Sequence, residues 1–209
     1  MPFAQPLLLR DNERMKILKK IGWAILVLVV VFFGWRVMVA WDKQKTDSVV
    51  EKIHNTKLAL ADVMGESLPP VPENPDATIV GVDENKNGIR DDVELAIFKE
   101  YPNSAKTRAV LLQYALALQM EMTQPIVNEG TVIAAVQEES RAYLCVGEIL
   151  SRSDMNEYIT KSDTLRSFVK EKQLNTEARK KARTDFYEKI GSHESLDRIC
   201  DIDYSTLPN

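Results

Sequence analysis

The sequence predicts an all-α protein with an N-terminal single transmembrane helix, a stalk helix and then an exported helical bundle. Three observations support this fold class. Residues 21–41 are apolar except for Arg36. Four prolines within residues 68–76 prevent a continuous helix there. From Asp91 almost to the end, apolar residues recur at intervals of three and four in four or five segments, as the amphipathic helices of a bundle require.

The apolar run 21–41 has the length of a membrane span. At about 1.5 Å per residue it forms a helix of roughly 31 Å, close to the hydrocarbon thickness of a bilayer. Trp23, Trp35 and Trp41 lie towards its ends, where amphipathic rings favour the interface, and Arg36 is near enough to the far end to reach the headgroups. The run exceeds the roughly 7–15 residues of a signal-peptide core, so we expect an uncleaved signal-anchor rather than a cleaved signal peptide.

The charges on either side of the span predict its orientation. The short N-terminal side is strongly basic, with Arg10, Arg14, Lys16, Lys19 and Lys20. The positive-inside rule therefore predicts a cytoplasmic N-terminus and export of everything after the span, into the periplasm if the cell is a Gram-negative bacterium.

The exported part is acidic. Residues 42–209 contain 21 Lys and Arg and 29 Asp and Glu, a formal net charge of −8. We expect no nucleic-acid partner, because phosphate contacts require clustered basic residues and no basic stripe is present. An acidic surface is compatible with cation binding.

The two cysteines, Cys145 and Cys200, both lie in the exported part. In an oxidising compartment an even pair predicts a disulfide bond, which would attach the C-terminal segment to an internal helix. The alternative is two separate buried thiols.

The segment between the span and the bundle predicts a stalk helix followed by a stiff proline-rich linker. Apolar residues recur at helical spacing in the stalk, which could pair two anchors as a short coiled coil and so form a homodimer, or could lie against its own domain. The predicted regions are the basic tail 1–20, the transmembrane anchor 21–41, the stalk helix 42–67, the linker 68–76 and the extracytoplasmic domain 77–209.

Caps and helix breakers predict the helices of the domain. A helix that begins at Asp91 stops before Pro102, and a second, capped by Ser104, has one apolar face. The further predictions are an end of that second helix at Pro125, a helix over residues 130–150, a short helix capped by Ser153 or Asp154, and a last long helix that ends at Gly191.

The twelve residues 83–94, DENKNGIRDDVE, match the calcium-loop pattern Asp-x-(Asp/Asn)-x-(Asp/Asn)-Gly followed by five residues and Glu. Ca²⁺ takes six to eight oxygen ligands, and Gly88 would allow the sharp turn that brings them together. The candidate ligands are the side chains of Asp83, Asn85 and Asn87, the backbone carbonyl of Ile89, the side chain of Asp91 directly or through water, and both carboxylate oxygens of Glu94.

This stretch resembles the EF-hand-like calcium loops of secreted and surface bacterial proteins, dockerin modules in particular, over about residues 80–100. In those loops the calcium site leads into an exiting helix without an entering helix, and ATIVGV before the loop and VELAIFKEY after it are similar. Two features depart from the family: Arg90 replaces an aliphatic residue, and only one complete loop is present. The spacing of Asp201 and Asp203 is ligand-like but lacks a glycine and a closing acid.

The resemblance implies weak, structural Ca²⁺ binding, in the range of about 10⁻⁴–10⁻³ M that is typical of extracellular modules. The alternative is a metal-free polar turn, since Asn87 and Gly88 favour a turn and Asp91 can cap a helix by itself.

The sequence predicts no catalytic residues. His54 and His193 are expected at the solvated surface, and Glu138 on a solvated helix face. A catalytic pair of Cys145 and His193 is disfavoured, because Cys145 lies in an apolar helix and has Cys200 as a partner.

The function expected from the sequence is therefore a membrane-anchored, calcium-binding helical domain that acts as an interaction or scaffold module for a protein or envelope partner. The alternatives are an envelope-active enzyme with an unidentified carboxylate site, and a metal-free structural oligomer.

Overall fold

The structure, a computed structural model, describes residues 11–209, with side chains from Arg14 onward. The described range contains seven α-helices, one short 3₁₀-helix and no β-strand, which confirms the all-α fold class. The helices are α1 (Asp11–Asn55), α2 (Leu60–Met64), α3 (Asp91–Glu100), α4 (Ala105–Thr123), α5 (Glu129–Glu148), α6 (Met155–Gln173) and α7 (Glu177–Tyr187), and the 3₁₀-helix is Tyr204–Thr206.

The chain divides into two compact units, one that ends at Lys45 and one that comprises Thr46–Asn209. The first unit contains the apolar part of α1, and every side chain over residues 21–41 is exposed there. Within the described residues, α1 is the one helix long and apolar enough to cross a membrane. The structure therefore confirms a candidate membrane span. The helix that contains it extends beyond the predicted residues 21–41 in both directions.

The predicted stalk is not one helix. Helix α1 ends at Asn55 and α2 begins at Leu60, so the stalk is interrupted. The core of the second unit buries the side chains of Ile53, Leu58 and Val63. Because these side chains pack into the core, the chain does not continue as a straight helix. The segment that follows the first unit therefore packs against its own domain.

The proline-rich linker is likewise part of the domain rather than a free spacer, because the side chain of Arg179 holds it. Arg179 lies on α7, is fully buried, and donates hydrogen bonds to the backbone carbonyl oxygens of Pro75 (2.7 Å), Thr78 (3.0 Å) and Ile79 (3.0 Å). It also pairs with the carboxylate of Asp76. The second compact unit, Thr46–Asn209, therefore includes the predicted linker as well as residues 77–209.

Helix α4 is the centre of the bundle. The sequence predicts one apolar face, but residues 108–121 of α4 are buried without interruption, because helices α2, α3, α5, α6 and α7 all pack around it. The helix begins as predicted at Ser104, whose hydroxyl accepts a hydrogen bond from Thr107 N (3.2 Å), and it ends two residues before Pro125.

Polar residues on α4 hold the chain segments that have no regular structure. Gln113 Nε2 donates to the carbonyl of Ile199 (2.8 Å), and its Oε1 accepts from Asp201 N (2.8 Å). Gln119 Nε2 donates to the carbonyl of Val80 (2.7 Å). Each buried amide therefore satisfies its own hydrogen-bonding groups and those of a loop at the same time.

The remaining helices differ from the prediction mainly in length. Asp154 caps α6 as expected, with its carboxylate accepting from Asn156 N (2.9 Å) and Glu157 N (3.1 Å), but α6 is 19 residues long rather than short. Helix α7 ends at Tyr187, before Gly191.

The predicted disulfide bond between Cys145 and Cys200 is confirmed in the structure. Beside it, the carboxylate of Asp201 pairs with Arg141 on α5 and accepts a hydrogen bond from Leu58 N (2.9 Å). The C-terminal segment is thus attached covalently to α5 and electrostatically to both α5 and the residues after α1.

We predict that Gln113→Ala lowers the unfolding free energy of a fragment of residues 46–209 by about 1–3 kcal/mol, because it leaves the buried amide of Asp201 without a partner and removes one of the two hydrogen bonds to the carbonyl of Ile199. Chemical denaturation measures this. The matched control is Gln137→Ala, which removes one exposed bond to the carbonyl of Glu194 and should cost less than about 1 kcal/mol. Equal costs for the two variants would contradict this account.

We predict that the double variant Cys145→Ala with Cys200→Ala loses about 4 kcal/mol of unfolding free energy in the chain-entropy model, since the bond closes a loop with a sequence separation of 55 residues. Denaturation with and without a reductant measures this loss. The reductant should shift the midpoint of the unchanged chain and leave that of the double variant where it is.

Candidate calcium-binding site

The predicted calcium loop, residues 83–94, connects the linker to α3 and is closed by hydrogen bonds from its own backbone. The carboxylate of Asp83 accepts from the backbone amides of Asn87 (3.1 Å) and Gly88 (3.0 Å). The side-chain oxygen of Asn87 accepts from Ile89 N (2.9 Å), and that of Asn85 accepts from Asn87 N (3.4 Å). The first three candidate ligands therefore lie on the inner side of one tight loop.

The glycine of the loop is required by its conformation and its surroundings. Gly88 has φ +84°, in the left-handed region that side chains disfavour. A Cβ atom at this position would also lie 2.7 Å from Leu116 Cδ1 on the central helix. The loop therefore packs against the core at Gly88. The next residue, Ile89, is fully buried in the core.

Two acidic residues of the loop, Asp91 and Glu94, are buried at the start of α3, with exposed fractions of 0% and 1%. Asp91 accepts hydrogen bonds from Glu84 N (3.1 and 3.2 Å), and Glu94 accepts from Asn85 Nδ2 (3.1 Å). Neither carboxylate has a basic side chain as an ion-pair partner within the part of the chain that the structure describes.

Burial raises the pKa of both carboxyl groups. For Glu94 burial raises the pKa to about 7, and the nearby charges of Asp62 and Asp91 act in the same direction. Burial also raises the pKa of Asp91, with Asp83 and Glu84 contributing further. The structure therefore holds two carboxylates in a place where their negative charge is unfavourable without a cation.

Arg90, the departure from the loop family, does not neutralise the site. Its guanidinium is fully buried and makes no ion pair with Asp91 or Glu94; it pairs with Asp92 (2.5 Å) and donates to the carbonyls of Lys172 (2.6 Å) and Gln173 (3.1 Å). It thereby satisfies the C-terminal end of α6. This contact explains why an arginine stands where similar loops have an aliphatic residue.

The residues present fit a hard divalent cation by their chemistry. Carboxylate, amide and carbonyl oxygens are the ligands that Ca²⁺ prefers. No group of three or more His, Cys, Asp and Glu side chains within the described range converges on one point, so a cation here depends on the oxygens of Asn85, Asn87 and Ile89 as well.

Glu138 corrects a sequence-based prediction. It was expected on a solvated helix face, yet it is 2% exposed and accepts hydrogen bonds from Arg141 Nε (2.5 Å) and Lys57 Nζ (2.7 Å). His54 Nδ1 lies 3.0 Å from its carboxylate, so His54 is half-buried rather than solvated, whereas His193 is exposed as predicted. Burial by itself would raise the pKa of Glu138, but Lys57, His54 and Arg141 together lower it.

A second buried carboxylate, Glu121 on α4, escaped the sequence analysis. Its oxygens accept hydrogen bonds from Arg183 Nε (2.9 Å) and the Tyr187 hydroxyl (3.1 Å), and Arg183 also lies 3.9 Å from Glu139. Burial raises the pKa of Glu121 to about 7, and Arg183 opposes this rise. No motif or spacing indicates this cluster, because its members come from three helices.

No family model, curated protein or solved structure matches this chain. The fold and the loop define an all-α protein with a candidate membrane-spanning helix and an acidic, partly buried loop. Its function has to be inferred from its own residues.

We predict that Glu121 makes stability depend on pH. Because its folded pKa is raised from 4.5 to about 7, its contribution to the unfolding free energy is fully present below about pH 4.5 and is lost as the pH rises through about 7. Between these limits the unfolding free energy of Glu121→Gln should increase relative to the unchanged chain by up to about 3 kcal/mol.

Denaturation of the fragment 46–209 at several pH values measures the difference. Glu148→Gln, in a half-exposed pair with Arg152, is the matched control and should show no comparable trend. A constant difference for Glu121→Gln across the range would contradict the prediction.

Proposed function

We propose that the protein is a membrane-anchored, extracytoplasmic interaction or scaffold module whose loop 83–94 binds one structural Ca²⁺ ion. The observation that carries the calcium proposal is the pair of buried carboxylates, Asp91 and Glu94, that have no basic partner in the described chain. Burying an uncompensated carboxylate costs several kcal/mol, and a divalent cation removes this cost by coordination.

Comparison with the other buried glutamates strengthens this proposal. Glu138 pairs with Arg141 and Lys57, and Glu121 pairs with Arg183. The chain thus supplies a basic side chain to these two buried glutamates but not to Glu94. The loop pattern around Glu94 provides the additional oxygens that a calcium ion would need.

The position of the loop suggests what the ion would do. Asn85 Nδ2 donates to the carbonyl of Ser67, the residue directly before the linker (3.0 Å), while Ile89 and Val93 are fully buried in the core. A cation bound between Asn85 and Glu94 would join the start of the linker to α3 and the bundle. Calcium would therefore act as a structural clamp between the segment that contains Ser67 and α3.

Three features support the extracytoplasmic location. The candidate span is preceded by a basic segment, the domain after it is acidic, and its two cysteines form a disulfide bond. Disulfide bonds persist in oxidising compartments, and basic segments remain in the cytoplasm. The proposed partner is a protein or another envelope component.

An enzyme remains the alternative, and the carboxylates of Glu121 and Glu139 near Arg183 are its best candidates. Both oxygens of Glu121 are engaged, however, by Arg183 and Tyr187. Because a catalytic carboxylate needs an oxygen that can reach a substrate, this cluster favours a structural role.

We predict that about 10 mM Ca²⁺ raises the unfolding free energy of the fragment 46–209 by about 1.4–2.7 kcal/mol, which corresponds to dissociation constants of about 10⁻³ to 10⁻⁴ M. Glu94→Gln should abolish this increase, because an amide cannot provide the two charged oxygens that close the shell. Isothermal calorimetry and thermal unfolding measure binding and stabilisation.

The matched control is Glu84→Gln. Glu84 is an exposed acid in the same loop and is not a proposed ligand, so its variant should keep the calcium response. Mg²⁺ should stabilise less, because it requires near-octahedral geometry and gives up its water reluctantly. No binding heat and no stabilisation at about 10 mM Ca²⁺ would exclude the proposed site.

A further inference from the structure

A cavity of about 330 Å³ lies where the beginning of α4, the end of α5 and the middle of α6 meet. Its volume falls within the range of roughly 300–1,000 Å³ that small-molecule sites occupy. None of the residues that line it belongs to the loop 83–94. The cavity is therefore separate from the proposed calcium site.

The cavity is amphipathic. Ile149, Leu150 and Leu165 provide apolar surface from the segment after α5 and from α6. The beginning of α4 and the middle of α6 contribute the two cationic side chains, Lys106 and Lys161. A ligand that fits both parts has an apolar body and a negatively charged end.

Lys106 is the residue that points most directly to an anion. It is half-buried in the first turn of α4, a turn that contains no acidic residue. Within the described residues its ammonium group has no hydrogen-bond or ion-pair partner. A positive charge at this end of a helix is unfavourable, because the helix dipole is itself positive there. Partial burial adds to this cost.

The other polar groups of the cavity contribute less to anion binding than Lys106 does. Lys161 forms an ion pair with Glu157 (2.6 Å), and both side chains are more than half exposed. The Ser104 hydroxyl donates to Thr107 Oγ1 (2.8 Å) and accepts from Thr107 N (3.2 Å), so the helix cap is already satisfied. Recognition of the negative end therefore depends mainly on Lys106, with Lys161 as a second cation.

We infer that this cavity binds an amphipathic anion, a carboxylate or phosphate head group that carries a short apolar chain. The head group would lie at Lys106 and Lys161, and the chain would lie along Ile149, Leu150 and Leu165. A free fatty acid and an acidic phospholipid both have this chemistry, and the experiment has to distinguish them.

The test uses the full chain in phosphatidylcholine nanodiscs with methyl-labelled isoleucine and leucine. Octanoate represents the free acid and dihexanoyl phosphatidic acid the lipid, and their free concentrations are measured to correct for partitioning. Either probe should cause saturable shifts of the Ile149, Leu150 and Leu165 methyl resonances, while the methyls of Ile89 should not move. Higher affinity for octanoate would identify a free acid as the ligand, and higher affinity for dihexanoyl phosphatidic acid would identify a lipid. Either result supports the proposed site.

Two neutral or truncated probes and three variants complete the test. Octanol lacks the charge and inorganic phosphate lacks the chain, so each should bind much more weakly than the amphipathic anions. Lys106→Gln should weaken binding roughly five-fold and Lys161→Gln roughly two- to three-fold, as expected for the loss of one partly exposed charge contact. Lys189→Gln, an exposed lysine outside the cavity, should leave the affinity unchanged.

Several results would overturn the inference. These are the absence of saturable shifts with both anionic probes, equal affinity for octanol, equal affinity for inorganic phosphate, or unchanged affinity in Lys106→Gln. The methyl spectrum of each variant without ligand shows whether the variant is folded. Since the calcium loop is not involved, such results would leave the proposed Ca²⁺ site unaffected.

Discussion

Helix α4 is buried over residues 108–121 without interruption, so its polar side chains need partners inside the protein, and all of them except the Tyr114 hydroxyl have a hydrogen-bond partner there. Arg108 donates to the carbonyls of Val63, Tyr101 and Pro102, and Gln113, Gln119 and Glu121 make the contacts described above. Most of these partners lie in turns and loops rather than in helices. The need to satisfy buried polar groups therefore determines where the irregular segments run, and it makes the central helix the frame for the linker and the C-terminal segment.

The same requirement supports the proposal that the loop 83–94 binds a cation. Buried carboxylates at Glu138 and Glu121 have guanidinium or ammonium partners, and their environment is electrically balanced. Asp91 and Glu94 have only backbone and amide donors, although they are at least as deeply buried. A divalent cation would complete the balance with groups that are already present. Lys106 shows the converse situation, since a half-buried cation there lacks an anion.

Two buried arginines explain how a proline-rich segment becomes part of a packed domain. Arg179 binds the backbone carbonyl of Pro75 in the linker and those of Thr78 and Ile79 just after it, and Arg90 lies against Gly81, where φ is +76° and a Cβ atom would overlap the arginine side chain. Guanidinium groups suit this role because they offer five donors in a fixed plane. These contacts, together with its prolines, attach the end of the linker to the domain.

The features that depend on neighbouring residues could be predicted from the sequence: the all-α class, the apolar helix, the caps at Ser104 and Asp154, and the turn at Gly88. The disulfide pairing also followed, since only two cysteines are present. Tertiary packing decided the rest. It interrupted the stalk at Asn55, surrounded α4 on all sides, and buried Glu138 beside residues more than eighty positions away. Local propensity is set within a few residues, whereas burial and ion pairing depend on contacts between distant segments, which a single sequence does not display.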